Sequence, residues 1–282
     1  RWEKDGWWRR TVSNLCLTIL YFLGVSPHRL ASWYYGSTER TNGLSSATPC
    51  DIGGNEPVVV IMPALNEAQA VGEVIAEIPN GTEEVIVVDN GSTDGTVERA
   101  QAAGATVVTE PNRGYGNACL RGLRQATSAG DAIIVFLDAD RSDFPREMMA
   151  LVEPIRQGTA DFVLGDRGGT DRPWHARAGT ELCVWLINKL WRTDYRDLGP
   201  FRAIRRSAID RLRMIDRTWG WTIEMQVKAV EAGLAIQEVS IRQRARVGQS
   251  KISGTVTGTI RAGLRMLHTI WSLWRTRHSR VL

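Results

Sequence analysis

Three short clusters of acids, amides and hydroxyls carry the most chemistry in this sequence of 282 residues. They are Pro63-Ala64-Leu65-Asn66-Glu67, Asp89-Asn90-Gly91-Ser92-Thr93-Asp94-Gly95-Thr96 and Asp138-Ala139-Asp140. A carboxylate such as Asp89 can accept hydrogen bonds from a base imide and a ribose hydroxyl. Two carboxylates two residues apart, as Asp138 and Asp140 are, can bind a hard divalent cation directly or through water. The chemistry implied is a nucleotide site with a metal. Acids in such places also cap helices and fill turns, and that plainer role suits Asp94.

Positive charge gathers late in the chain. From Arg242 to Leu282 there are eight Arg, one Lys and no acid. Such a run suits a polyanion: a phosphorylated substrate, nucleic acid or an anionic membrane. Earlier, Arg167 and Arg177 could reach a phosphate. The last stretch also has a period. Val256, Ile260, Leu264, Leu267, Trp271 and Trp274 recur at steps of three and four, widened by Met266, Ile270 and Leu273. Arg261, Arg265, His268, Ser272 and Arg275 fall on the other side. This predicts a basic amphipathic helix with Trp on its apolar face. Such a helix suits a membrane interface; covering a core or a dimer partner is the plainer use.

Strands must hold the acids. Val58–Met62 is a short apolar, β-branched run ended by Pro63, and reads as a buried strand. Val85–Val88, Ala105–Val108 and Ala132–Leu137 read the same way, with helical stretches to Ile78, over Asp94–Ala103 and over Gly114–Thr127. This alternation predicts βαβ units and a mostly parallel, doubly covered sheet. Ligands of such sheets sit beyond the carboxyl ends of the strands, and all three polar clusters follow strand ends. Leu15–Val25 is apolar but short for a bilayer span, and residues 36–56 read as a linker. The chain opens on Arg1 rather than Met, so a preceding piece is expected.

Four segments in order, Pro63–Glu67, Val87–Thr96, Asn112-Arg113-Gly114-Tyr115-Gly116-Asn117-Ala118 and Asp138–Asp140, resemble the family 2 glycosyltransferases of the GT-A fold. The dolichol-phosphate mannose and glucose synthases are the nearest in pattern, and the resemblance runs from residue 57 to about 252. It implies that the backbone at Pro63 and Leu65, with Glu67, lines the nucleotide pocket, and that Asp89 holds the base. Gly114 and Gly116 would let the backbone pass close to the nucleotide. Asp138, Ala139 and Asp140 would form the DxD motif, with Asp140 nearest the diphosphate and Mg²⁺ or Mn²⁺ as the cation. Ser142 stands where polyprenyl-phosphate mannose synthases often carry a metal-binding Gln; Asp143 follows it, and either is a candidate third ligand.

On the acceptor side the resemblance points to Arg167, Arg177, Arg202 and Ser250. Asp197-Leu198-Gly199-Pro200-Phe201-Arg202 departs from the family's acid followed by Ser-Gly-Phe-Arg. Glu224, near the start of a helix, would be a general base or an organiser of the site. Arg246, Ser250 and Lys251 match an Arg-x-Gly-x-Ser-Lys-Ile segment that would close over the diphosphate and hold an acceptor phosphate.

The expected fold is therefore α/β, a GT-A sheet flanked by helices. Residues 1–56 form an N-terminal segment and linker, 57–252 the catalytic domain and 253–282 the basic helix. The expected activity is metal-dependent, inverting hexose transfer from a nucleoside-diphosphate sugar to a membrane-associated acceptor, a polyprenyl phosphate, at the cytoplasmic face of a membrane. A glycolipid or polysaccharide hydroxyl is the alternative acceptor. A nucleotidyltransferase is the rival of another class, but it would carry a Gly-rich basic loop after the first strand, where Pro63–Glu67 stands. No nucleic-acid motif accompanies the basic tail. Hydrophobic residues at 43% and charged residues at 23% exclude disorder or a coiled coil as a description of the whole chain. Four scattered Cys with no paired spacing argue against a disulfide framework or a zinc site.

Overall fold

A computed structural model describes residues 56–126, 130–168, 174–248 and 256–279. The expectations for residues 1–55, and for Ser250 and Lys251, concern residues outside these ranges. Seven strands form one sheet in the order β3-β2-β1-β4-β6-β5-β7. The strands are β1 (Val58–Ala64), β2 (Glu84–Asp89), β3 (Thr106–Thr109), β4 (Ile133–Phe136), β5 (Phe162–Asp166), β6 (Arg202–Arg205) and β7 (Ile236–Ser240). The helices are α1 (Val71–Ala76), α2 (Thr96–Ala102), α3 (Tyr115–Gln125), α4 (Met148–Arg156), α5 (Trp174–Trp191), α6 (Arg206–Leu212), α7 (Trp221–Glu231) and α8 (Val256–Ser279).

The central strands are continuous apolar runs because both faces are covered. Side chains alternate along β1, so Val59 and Ile61 enter one core with α3 and α7 residues while Val58, Val60 and Met62 enter the other. β1 pairs in parallel with β2 and β4, which brings Ala64 level with Asp89 and ends all three strands on one edge. The sheet is mixed at one place. β6 runs antiparallel between β4 and β5, and so joins the two halves of the chain. β6 and β7 are absent from the sequence reading, as both are short and carry polar or charged residues.

α8 packs against α5 and α7. Ala262, Thr269 and Ile270 are buried, and Met266, Leu267 and Leu273 pack on the core. Leu264, Trp271 and Trp274 remain 63%, 51% and 36% exposed. The apolar face read from the sequence is thus wider than the groove that receives the helix. One flank covers the domain and the other meets solvent. Arg275 lies over the Trp271 ring at 5.4 Å. Among the described residues, no helix is long and apolar enough to cross a membrane.

Candidate active site

The ends of β1 and β2 are stitched together by short polar side chains. Asn66, at φ 52°, donates its N–H to Ser92 Oγ at 2.9 Å and accepts Thr93 N–H at 2.7 Å. Asp89 is buried and accepts N–H bonds from Gly91 at 3.3 Å and Ser92 at 3.0 Å. A carboxylate has about four acceptor positions, so Asp89 keeps capacity for a ligand. Asp94 accepts Thr96 N–H at 3.1 Å and Ala68 N–H at 3.2 Å, the turn role expected of it. Asn90 makes three bonds that sequence reasoning did not foresee. Its amide donates to the Glu110 and Asn112 carbonyls and accepts Gly114 N–H, fixing the loop that starts α3.

Gly114 and Gly116 also meet a requirement within the protein itself. A Cβ at Gly114 would overlap the Arg217 carbonyl oxygen, and one at Gly116 the Asp216 carbonyl oxygen. Gly114 also sits at φ 141°, a conformation that favours glycine. The close approach in this structure is therefore to the chain's own 216–218 turn. Gly116 and Asn117 donate N–H bonds to the Thr218 and Arg217 carbonyls. Between the glycines, the Tyr115 hydroxyl donates to Asp138 Oδ1 at 3.4 Å. Burial, and then the Asp138 charge, push the Tyr115 phenol well above its usual pKa.

Asp138 and Asp140 follow β4 on the same edge. Enclosure by the strand end, then the charges of Asp140 and Asp143, raise the Asp138 pKa. Asp143 is buried beside Gln243, and burial lifts its carboxyl to about 6. Asp140 accepts Ser142 N–H at Oδ1, 2.9 Å away, and pairs with Arg246 through Oδ2 at 3.2 Å. Arg246 also reaches Glu67 Oε1 at 3.3 Å, so one guanidinium joins the ends of β1 and β4. The crowded negative charge of Asp138, Asp140 and Asp143 fits a divalent cation nearby. Among the described residues no three acids, His or Cys make a ready cage for one. The fit is that of a cation shared between a carboxylate and substrate phosphates.

Three of the acceptor-side residues are otherwise engaged. Arg167 donates Nη2 to Asp197 Oδ1 at 2.9 Å and Nε to the other oxygen, a buried forked pair. Arg202 is 1% exposed. Its donors go to the carbonyls of Leu198, Gly199 and Thr222, and burial lowers its pKa to about 10. It braces the 198–222 region from inside and presents no free donor to solvent. Glu224 is 2% exposed and holds the Ile215 and Asp216 N–H groups, with Lys228 at 2.7 Å. Arg177, on α5, has a buried Nε without a partner.

Comparison with known proteins gives the family of the chain. The family model for glycosyl transferase family 2 matches residues 59–213. The chain belongs to that family. A glycosyltransferase of Mycobacterium tuberculosis, itself described as uncharacterized, is 38% identical over 209 residues, which is 73% of this chain and 94% of the relative. An undecaprenyl-phosphate mannosyltransferase of Micrococcus luteus is 31% identical, covering 71% of this chain and 89% of the relative. Among solved structures, glucosyl-3-phosphoglycerate synthase from M. tuberculosis, in complex with phosphoglyceric acid, superposes with a TM-score of 0.64. It is 28% identical, covering 77% of this chain and 80% of that one. Another structure of that enzyme holds Mn²⁺ and UDP-glucose. As a family 2 glycosyltransferase of GT-A architecture, the chain is an enzyme that uses a nucleotide-sugar donor.

Proposed function

We propose that this glycosyltransferase moves a hexose, with inversion, from a nucleoside-diphosphate sugar to a polyprenyl phosphate at a membrane surface. The observation that carries the donor half is the shared edge where β1, β2 and β4 end in Glu67, Asp89, Asp138 and Asp140. Asp89 receives the base, and the Pro63–Leu65 backbone lines the pocket beside it. Asp140 would hold a divalent cation, which would supply Lewis-acid neutralisation of the leaving diphosphate. Arg246 faces the same carboxylate and adds a forked donor for phosphate oxygens.

The acceptor half is supported by two observations. The relatives named for undecaprenyl-phosphate and polyprenol-phosphate mannose transfer cover most of this chain. In addition, Glu224 and Asp197, the acids that could deprotonate a hydroxyl, are committed to N–H groups and to Lys228 and Arg167. A phosphate acceptor is already anionic and needs no strong base, so Glu224 acts as an organiser. Arg177, Ser250 and Lys251 are assigned to the acceptor phosphate. The exposed Leu264, Trp271 and Trp274 flank of α8, with Arg275 over the Trp271 ring, suits peripheral contact with an anionic bilayer.

Transfer from a panel of nucleotide sugars, with and without Mn²⁺ or Mg²⁺, to polyprenyl phosphate tests this reading. Cation-dependent product on the lipid phosphate is expected. Transfer to a glycolipid hydroxyl or phosphoglycerate, with none to the lipid phosphate, overturns the acceptor assignment.

A further inference from the structure

Arg246 pairs with the carboxylate that the proposed function assigns to the cation. Each oxygen of Asp140 already has one partner, Oδ1 the Ser142 N–H at 2.9 Å and Oδ2 the cationic Arg246 Nη1 at 3.2 Å, so the obstacle to a cation is the guanidinium charge rather than a lack of lone pairs. A cation ligated by Oδ2 and a guanidinium at contact distance cannot share that oxygen without strong repulsion. The segment that carries Arg246 is tied down independently of its side chain. Val247 N–H donates to the Asp140 carbonyl at 2.9 Å, and Arg244 N–H to the Ser142 carbonyl at 2.9 Å. Arg244 also holds the Arg141 carbonyl at 2.7 Å and Glu77 at 2.9 Å. The guanidinium can therefore leave Asp140 while its backbone stays in place. The Arg246 side chain is 31% exposed, and its buried Nε makes no hydrogen bond. Its present position thus leaves one donor unspent.

We propose that Arg246 is an exchangeable counter-ion of Asp140, which it releases for the donor's diphosphate, so that a cation binds well only together with the nucleotide. This rests on the reading of the edge as a cation–nucleotide site. A cation arriving alone must expel the guanidinium from Asp140 and offers it nothing in return. A cation arriving with a diphosphate brings oxygens that a forked guanidinium matches. Glu67, bonded to the other Nη, keeps Arg246 within reach of both positions. The order of events is therefore set by one side chain: the metal–nucleotide complex is the species that enters.

The experiment counts free Mn²⁺ by its paramagnetic resonance signal over the intact chain, with no nucleotide, with UDP and with GDP. Wild type is expected to bind Mn²⁺ weakly alone and about ten-fold or more tightly with one of the nucleotides, a difference of ~1.4 kcal/mol or more. Arg246→Ala is expected to bind Mn²⁺ alone about ten-fold tighter than wild type and to gain less from nucleotide. Adding Asp140→Asn to that variant should abolish the gain. Arg246→Gln, which keeps a donor toward Glu67, serves if the alanine variant unfolds, and should tighten Mn²⁺ binding in the same direction. Unchanged or weaker Mn²⁺ binding in the folded Arg246 variants, with nucleotide enhancement intact in wild type, overturns the exchange. Absence of nucleotide-dependent Mn²⁺ binding in wild type overturns instead the reading of the site on which it rests.

Discussion

Replacing Glu224 separates two kinds of active-site acid. Its carboxylate is 2% exposed, receives Ile215 N–H on both oxygens at 3.0 and 3.1 Å and Asp216 N–H at 2.7 Å, and pairs with Lys228. Glu224→Ala leaves two backbone donors without an acceptor, each at a cost of ~1–3 kcal/mol. Lys228 loses a partner but keeps the Arg213 carbonyl at 2.8 Å. A total of roughly 3–5 kcal/mol follows, in the range for removing one member of a buried charge pair. For a chain of this size each kcal/mol moves the melting temperature by roughly 2–4 °C, so alanine should lower it by about 6–20 °C. Glu224→Gln keeps one acceptor oxygen and should lose about 1–2 kcal/mol. Transfer in both variants, measured below their melting temperatures, should fall in step with the disturbed 215–218 turn and keep the wild-type pH profile. The assay pairs thermal unfolding with transfer rate against pH. A Glu224→Gln protein with unchanged melting temperature and abolished transfer refutes the organiser role and makes Glu224 a base.

Gly116→Ala should lower both stability and donor binding, because its Cβ meets the Asp216 carbonyl, an atom of rigid backbone; thermal unfolding and nucleotide titration read this together. Asp140→Asn should reduce transfer by orders of magnitude while the fold survives, since Arg246 retains Glu67; circular dichroism beside a transfer assay checks it. Leu264→Ser with Trp271→Ser should change stability by no more than about 0.5 kcal/mol per site, as expected for exposed positions. The same pair should weaken flotation with anionic vesicles, and undiminished flotation would remove that flank of α8 from membrane contact.

The half of the fold around β1–β4 is legible because its strands are unbroken apolar, β-branched runs, and their polar ends mark the site. The other half is legible only in part. β6 reads Arg-Ala-Ile-Arg, and nothing local shows that Arg202 is enclosed by carbonyls drawn from residues 198–222. The Arg167–Asp197 pair spans 30 positions, a distance over which spacing carries no signal. The need for small residues at Gly114 and Gly116 is readable, but their partner is a turn a hundred residues later. In α8 the period is plain, whereas the covered flank depends on where α5 and α7 lie, and α5 has no reading in the sequence. The Arg246–Glu67 contact joins residues 179 positions apart, and only the topology brings them together.

The antiparallel β6 strand has a consequence for how this enzyme can be altered. It hydrogen-bonds β4, which ends at the DxD motif, on one side and β5 on the other. The donor and acceptor portions therefore have no seam along which to be cut. A hybrid that joins residues up to β4 to the remainder of a relative would create a foreign strand pair in the middle of the sheet. It would also replace the 216–218 turn on which α3 is seated. Exchange of acceptor preference between relatives should succeed through substitutions in surface loops and α8, and fail through block recombination. An N-terminal fragment ending after β4 would expose an unpaired apolar strand edge, an invitation to aggregation rather than an autonomous nucleotide-binding module.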